Sequence, residues 1–387
     1  MDNRTRNGIG VILILVVTVS VLAVSLLSMP DPRQQALETL DANIIEVMSN
    51  THIPGVAACA VKDGEIQWMK TYGYADMDLN VSVTNDTLFM LGSVSKVVTG
   101  LAFMQLFEDG LVGLDDNISD YLPFEVVHPQ HPNYTITPRM LLSHVSGIRD
   151  NWLELGPLET SGSDSPISLE DFTRGYLLTN GTYYQTSNYN SAEPGTVYEY
   201  TNVGSTLIAY LVEVISNETF EDYCQENIFV PLGMTETSWF LANLGTSSIA
   251  IPYVYTGSTH QALDHYGSPV YPCGFVRTSI HQQATFMTML MNGGVIGETR
   301  IINSSTLQLM MTHHYPELAP NYGFFFQHSD ILWGHGGSGP GVATRTFFYP
   351  EAKEGVVIML NLEDTTALNS IHNHILNGMR SAFGWLT

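Results

Sequence analysis

The chain has 387 residues, enough for two or three structural units. Its 38 acidic side chains against 14 basic ones leave a net charge of −24, which excludes nucleic-acid binding through clustered cations and disfavours long-range steering of anions. Only 13% of residues are charged and 44% are hydrophobic, so a large core can form.

Arg4 and Arg6 precede an uncharged run from Gly8 to Met29, about the length that crosses a bilayer, and Asp31 follows it. Residues 1–30 are therefore expected to be a membrane anchor or a cleaved signal segment. Residues 31–387 are expected to form one domain on the extracellular or lumenal side, secreted if cleavage occurs. Seven Asn-x-Ser/Thr triplets, at Asn80, Asn85, Asn117, Asn133, Asn180, Asn217 and Asn303, fit an exported glycoprotein. Cys59, Cys224 and Cys273 make no disulfide framework, leaving open a single Cys224–Cys273 bridge.

Leu37, Leu40, Ile44 and Val47 recur at helical spacing and predict a helix over residues 30–50. Gly55–Lys62 and Glu65–Tyr74 read as strands, joined at Asp63-Gly64 by a strong hairpin signal. A helix carrying Ser93 follows, with Gly110 as its stop. Residues 100–320 mix helices with loops, the loop-rich part lying at 150–200. Thr344–Tyr349 and Gly355–Leu362 read as a second hairpin, and Thr365–Phe383 as a last helix with Leu368, Ile371, Ile375 and Met379 on one face. Terminal hairpins around a helical middle predict an α/β (α+β) fold. One antiparallel sheet is built from both chain ends and flanked by helices, with a mostly helical region inserted.

Chemistry concentrates in three places. The chain holds only four lysines, and only Lys96 has a serine three residues upstream. Residues i and i+3 share a helix face, so Ser93 Oγ is expected beside the Lys96 amine. The helix N-terminus and burial both lower a lysine pKa, and a neutral amine activates a hydroxyl. Second, Tyr200-Thr201-Asn202 precedes an apolar helix from Ser205 to Ile215, offering a phenol as proton carrier and an amide that can hold both Lys96 and a substrate. Third, His335-Gly336-Gly337-Ser338 lies in a glycine-rich loop just before a strand, where backbone N–H groups can approach a ligand.

Ser-x-x-Lys, Tyr-x-Asn and His-x-Gly in this order resemble the serine β-lactamase and penicillin-binding-protein-like superfamily, most closely its class C branch. Thr87–Ser93, Leu114-Asp115-Asp116, Leu141–Ile148 and Pro231–Thr237 resemble further landmarks of that family. The resemblance spans about residues 35–380 and implies the β-lactamase/transpeptidase-like fold. It also implies residue roles. Ser93 would be acylated and Lys96 would take its proton. Tyr200 would relay a proton to the leaving group and later activate water. Asn202 would orient substrate and Lys96, and His335 would fill the place of the third motif's base. The backbone N–H groups of Ser93 and Ser338 would form an oxyanion hole, with Gly336 and Gly337 beside the substrate. His144 falls in a landmark without a catalytic role.

The third motif departs from the Lys-Thr-Gly or Lys-Ser-Gly that true β-lactamases carry. A mostly neutral histidine is a poor anchor for an anionic antibiotic. The reading therefore tilts toward peptidase or esterase chemistry on a small-molecule or peptide substrate, with weak β-lactam turnover. A true β-lactamase, a D-Ala-D-Ala carboxypeptidase and a catalytically inactive scaffold are the alternatives. If His335 were a cation holding Tyr200 ionised, activity would fall as His335 deprotonates. No cofactor is implied. His313-His314 and His372-Asn373-His374 lack partners at zinc spacing, and no G-x-S-x-G elbow exists.

Overall fold

The computed structural model describes residues 31–386. The expected membrane segment lies outside them, and among the described residues no helix is long and apolar enough to cross a membrane. Helix α1 (Pro32–Thr51) starts with Pro32 in its first turn and the Asp31 carboxylate accepting from Arg33 N at 3.0 Å; it ends at His52 in the left-handed region. Strands β1 (Gly55–Lys62) and β2 (Glu65–Asp76) form the expected hairpin. Asp63 and Gly64 both take positive φ, 53° and 83°, as a two-residue primed turn requires.

Beyond the short β3 (Val81–Ser82) the chain enters its helical middle. Helices α2 (Ser95–Glu108), α3 (Asn202–Ser216) and α4 (Ile280–Met291) pack there. Gly110, at φ 74°, follows the last turn of α2 as expected, with Leu111 N bonded back to Leu106 O. The stretch read as loop-rich also contains a helix at Leu169–Leu177. The chain then returns to the sheet with β4 (Gln327–Ser329), β5 (Leu332–Gly339), β6 (Val342–Tyr349) and β7 (Glu354–Leu360), and closes with α5 (Thr365–Phe383).

The seven strands lie in the order β4-β5-β6-β7-β1-β2-β3, every neighbouring pair antiparallel. The two chain ends meet where β1 pairs with β7, from Val56↔Leu360 to Lys62↔Glu354. This is the sheet predicted from the terminal hairpins. Side chains alternate across it. Ala58, Ala60, Val356, Ile358 and Leu360 face α1 and α5, meeting Leu40, Ile44, Ile371 and Ile375. Cys59, Val357 and Met359 face the helical middle. Ile44, Ile358, Ile371 and Ile375 are wholly inaccessible, and each such side chain contributes roughly 1.5–3 kcal/mol of burial free energy. All three cysteines are buried free thiols, so Cys224 and Cys273 are not bridged.

One strand differs from expectation. The His335-Gly336-Gly337 segment is not a loop ahead of a strand but is itself strand β5, paired to β6 from Trp333↔Phe348 to Gly339↔Val342. Its glycines hide the period-2 pattern that marks a strand. Gly337 is also what the packing demands, because a Cβ there would lie 2.1 Å from Leu91 O.

Candidate active site

From Thr87 to Met104 every residue is buried except Ser93. The chain makes a tight 3₁₀ turn over Gly92–Val94 before α2 begins. Gly92 sits at φ 54°, where a side chain would be strained, and a Cβ there would lie 2.9 Å from Ser338 N. The turn points the Ser93 hydroxyl outward while Lys96, one turn on, points inward. Lys96 is wholly buried, with Nζ 3.2 Å from Ser93 Oγ, 2.7 Å from Asn202 Oδ1 and 2.9 Å from Cys273 O. Burial pushes its pKa down, partly opposed by Cys273, Asp150 and Tyr322.

Asn202 opens α3, and Thr201 caps that helix by accepting from Gly204 N at 3.3 Å. Asp150 braces this entry. It accepts from Thr201 Oγ1 at 2.9 Å, from Asn202 N at 2.9 Å and from Val203 N at 3.0 Å. A carboxylate there also complements the positive end of the helix. Lys96 Nζ lies 4.8 Å from the centre of the Tyr200 ring. The Tyr200 hydroxyl is buried and makes no full hydrogen bond, although Ser93 stands close enough to favour its ionised form slightly. Burial dominates and pushes the phenol well above its ordinary value, so Tyr200 is protonated at neutral pH.

His335 lies across the site from Lys96, its ring 6.2 Å from that of Tyr200. Burial, then the Lys96 charge, push its pKa down to about 3, against a bond to Gly336 O. His335 is therefore a neutral imidazole. The idea of a cationic His335 holding Tyr200 as a phenolate fails on both counts, because a buried cation beside a second amine is unstable. His144 adopts φ 58°, is buried against the Tyr200 ring at 4.4 Å, and accepts from Thr201 N. It too is held neutral by burial.

The edge of β5 abuts the Ser93 turn. A Cβ on Gly337 would lie 3.0 Å from Ser93 N, and Thr344 Oγ1 ties β6 to Leu91 O behind it. The Ser93 and Ser338 backbones thus meet at one seam. Ser93, Lys96, Tyr200, Asn202 and His335 converge as predicted, with Gly336, Gly337 and Ser338 along one wall. Three contributors were not foreseen. Asp150 stands two residues past the Leu141–Ile148 landmark and carried no spacing signal. Gln327, whose Oε1 accepts from Gly336 N at 3.1 Å, belongs to an unrecognised strand. Cys273 acts through its backbone carbonyl, which no side-chain pattern reveals.

The beta-lactamase family model matches residues 40–376. The chain belongs to the beta-lactamase family. Among curated relatives of this beta-lactamase-family chain, Protein flp of Staphylococcus aureus (strain COL) is 25% identical over 339 residues, covering 85% of the chain and 63% of the relative. The chain thus spans less than two thirds of that relative's length. Among solved structures, the octameric penicillin-binding protein homologue from Pyrococcus abyssi superposes with a TM-score of 0.70 at 22% identity, over 89% of this chain and 79% of that one. The D-amino acid amidase from Ochrobactrum anthropi SV3 gives 0.69 at 19% identity, over 89% and 98%. Both show the same fold.

Ser93 and Ser338 of this family member stand between two clefts. The first holds about 600 Å³ of open space and has an apolar wall of Met90, Trp152, Leu155, Val270 and Phe275, with Glu159 as its charged residue. The second holds about 750 Å³ and is lined by Tyr200, Tyr322, His335, Gly336, Gly337, Arg345 and the first turns of α5.

Proposed function

We propose that this chain is a serine hydrolase of the class C β-lactamase-related branch, cleaving an amide or ester through an acyl-enzyme on Ser93. The observation that carries the reading is the buried Lys96 amine 3.2 Å from Ser93 Oγ. A neutral amine has two N–H donors and one lone pair. Asn202 Oδ1 and Cys273 O account for the two donors. The lone pair is then left for the Ser93 proton, and burial favours that neutral state.

In this scheme Ser93 Oγ bonds to the substrate carbonyl carbon as its proton passes to Lys96. The oxyanion is met by the backbone N–H groups of Ser93 and Ser338, and one such donor is worth about 10²–10³ in rate. As the bond to the leaving group breaks, the Tyr200 phenol gives it a proton and regains one from Lys96. Water then attacks the acyl-enzyme by the reverse relay, restoring Ser93. Neutral His335 fills space and shields the relay from water. With no fixed cation at that position and no hydroxyl at Gly336, β-lactam turnover is weak. The D-amino acid amidase shares this fold, which supports amide chemistry as within its reach.

The uncharged run from Gly8 to Met29 supports a second part of the proposal, that residues 1–30 hold the domain 31–387 at, or send it across, a membrane. The test of the hydrolase reading is intact-mass spectrometry after fluorophosphonate treatment. One adduct is expected, absent in Ser93→Ala. No adduct overturns the reading and leaves an inactive scaffold, and an adduct that survives the substitution overturns Ser93 as the nucleophile.

A further inference from the structure

Three aromatic side chains line the first cleft: Trp152, Tyr266 and Phe275. Two of them are fixed from behind. Tyr266 and Phe275 meet edge to face, with ring centres 5.6 Å apart and planes at 85°. The Tyr266 hydroxyl donates to Pro340 O at 3.1 Å. Arg277 is wholly buried, and its guanidinium donates to Tyr266 O at 2.6 Å and to Phe275 O at 3.2 Å. A third bond runs to Trp239 O at 3.0 Å. Burying a cation is costly. Here the buried cation ties together the two backbones that carry the rings.

Trp152 stands differently. It opens a one-turn helix, Trp152–Leu155, capped by Asn151, whose side chain accepts from Leu153 N at 3.3 Å. Asn151 N donates to the Tyr176 hydroxyl at 2.7 Å, and Asn151 Nδ2 to Asn188 Oδ1 at 3.1 Å. Leu155, at the far end of the turn, is 2% exposed. The backbone is thus held on both sides of Trp152, yet the indole is 59% exposed. Tryptophan is highly buried on average, so an indole held in the open beside a cleft calls for a reason. A flat apolar group seated against it would cover that surface.

Tyr200 lines the second cleft and not the first. In the scheme above Tyr200 protonates the leaving group, so the acyl group takes the first cleft. We propose that Trp152 is a specificity residue of this site, selecting substrates whose acyl group carries an uncharged aromatic ring. The inference rests on the acyl-enzyme reading above and names the substrate class within it. The ring would lie between the Trp152 indole and the Tyr266–Phe275 pair. Met90, also in that wall, offers a polarizable sulfur to a ring. Each aromatic pair favours a ring over an aliphatic group of like size by about two- to tenfold. Glu159, the charged residue of the wall, disfavours an acyl group that ends in a carboxylate.

The test compares the 4-nitrophenyl esters of phenylacetate and cyclohexylacetate, which share a leaving group and differ in the π face. Each kcat/KM is divided by the ester's hydroxide-catalysed rate. The unaltered protein is expected to favour phenylacetate. Trp152→Leu should reduce that preference about two- to tenfold, the worth of one aromatic pair. Trp152→Phe should recover part of it, and thermal unfolding checks that both variants fold. Equal rates on the two esters in the unaltered protein, or a preference that Trp152→Leu leaves in place, overturn the proposal for Trp152. Fluorophosphonate labelling of Ser93 in the same samples separates that result from failure of the hydrolase reading. Absence of the Ser93 adduct overturns the hydrolase reading and this inference with it.

Discussion

Asp150→Asn tests whether the carboxylate beneath α3 sets the state of the Lys96 amine or only holds the helix. The change keeps the side chain's size and removes its charge. Asp150 receives bonds from Thr201, Asn202 and Val203. One oxygen of the amide can still accept, but its NH₂ group faces an N–H donor, and losing charge-assisted bonds at a half-buried site costs about 1–3 kcal/mol. The electrostatic effect is separable. Asp150 raises the Lys96 pKa through its charge, so removing that charge lowers it further. One asparagine separates the two groups, and at roughly 8 Å with an effective dielectric of about 20–80 their interaction is about 0.5–2 kcal/mol. That equals a downward move of roughly 0.4–1.5 pH units in the amine's titration. The assay is single-turnover acylation of Ser93 followed across pH. The rising limb, where Lys96 loses its proton, should move to lower pH while the plateau falls as Asn202 loses its brace. A limb that stays in place or moves upward refutes the electrostatic part. A plateau and an unfolding midpoint both unchanged refute the bracing part.

Lys96→Met should abolish Ser93 acylation, a general base being worth about 10²–10⁴ in rate. It should leave the urea midpoint unchanged or raised, because burying a thioether costs less than burying an amine; a large drop in stability with retained acylation would contradict the role given to Lys96. The buried histidines predict acid sensitivity with a definite sign. His335 titrates near 3 in the folded chain and near 6.5 when unfolded, so the unfolded chain binds the extra proton between those values. Its contribution is complete above about pH 6.5 and is lost progressively as pH falls toward 3. His335→Gln should therefore flatten the fall in the denaturant midpoint between pH 7 and pH 4, and an unchanged slope would show that the imidazole carries no such penalty.

Much of this architecture is written in local patterns. Asp63-Gly64 forces a tight reversal with both residues at positive φ, so the first hairpin could be read from two letters. Leu368, Ile371 and Ile375 mark a helix face against the sheet, and the all-apolar run after Lys96 announces a helix with no solvent side. Ser93 and Lys96 are three residues apart, so their meeting is a property of one turn. What escaped the sequence depends on distant chain. β5 carries four glycines among eight residues, and at Gly337 only the neighbouring Leu91 and Ser93 explain why a side chain is excluded. Asp150 acquires meaning from Thr201 and Asn202, some fifty residues later. Cys273 offers a carbonyl, which every residue possesses, so its thiol invited a covalent reading that the fold does not use. His335 was legible as a neutral side chain, but the degree of its enclosure was not.

The pairing of β1 with β7 has a bearing on how this molecule is born. Ser93, Lys96, Tyr200 and Asn202 leave the ribosome well before Gly337 and Ser338, and β5 is tied to β1 only through β6 and β7. A nascent chain therefore carries a hydroxyl and an amine but no rigid wall to receive an oxyanion. Under the proposed acyl-enzyme scheme, the Ser338 donor would be fixed beside Ser93 only once synthesis has passed Leu360. The same long-range closure makes assembly slow, since contacts this distant in sequence must wait for the whole chain.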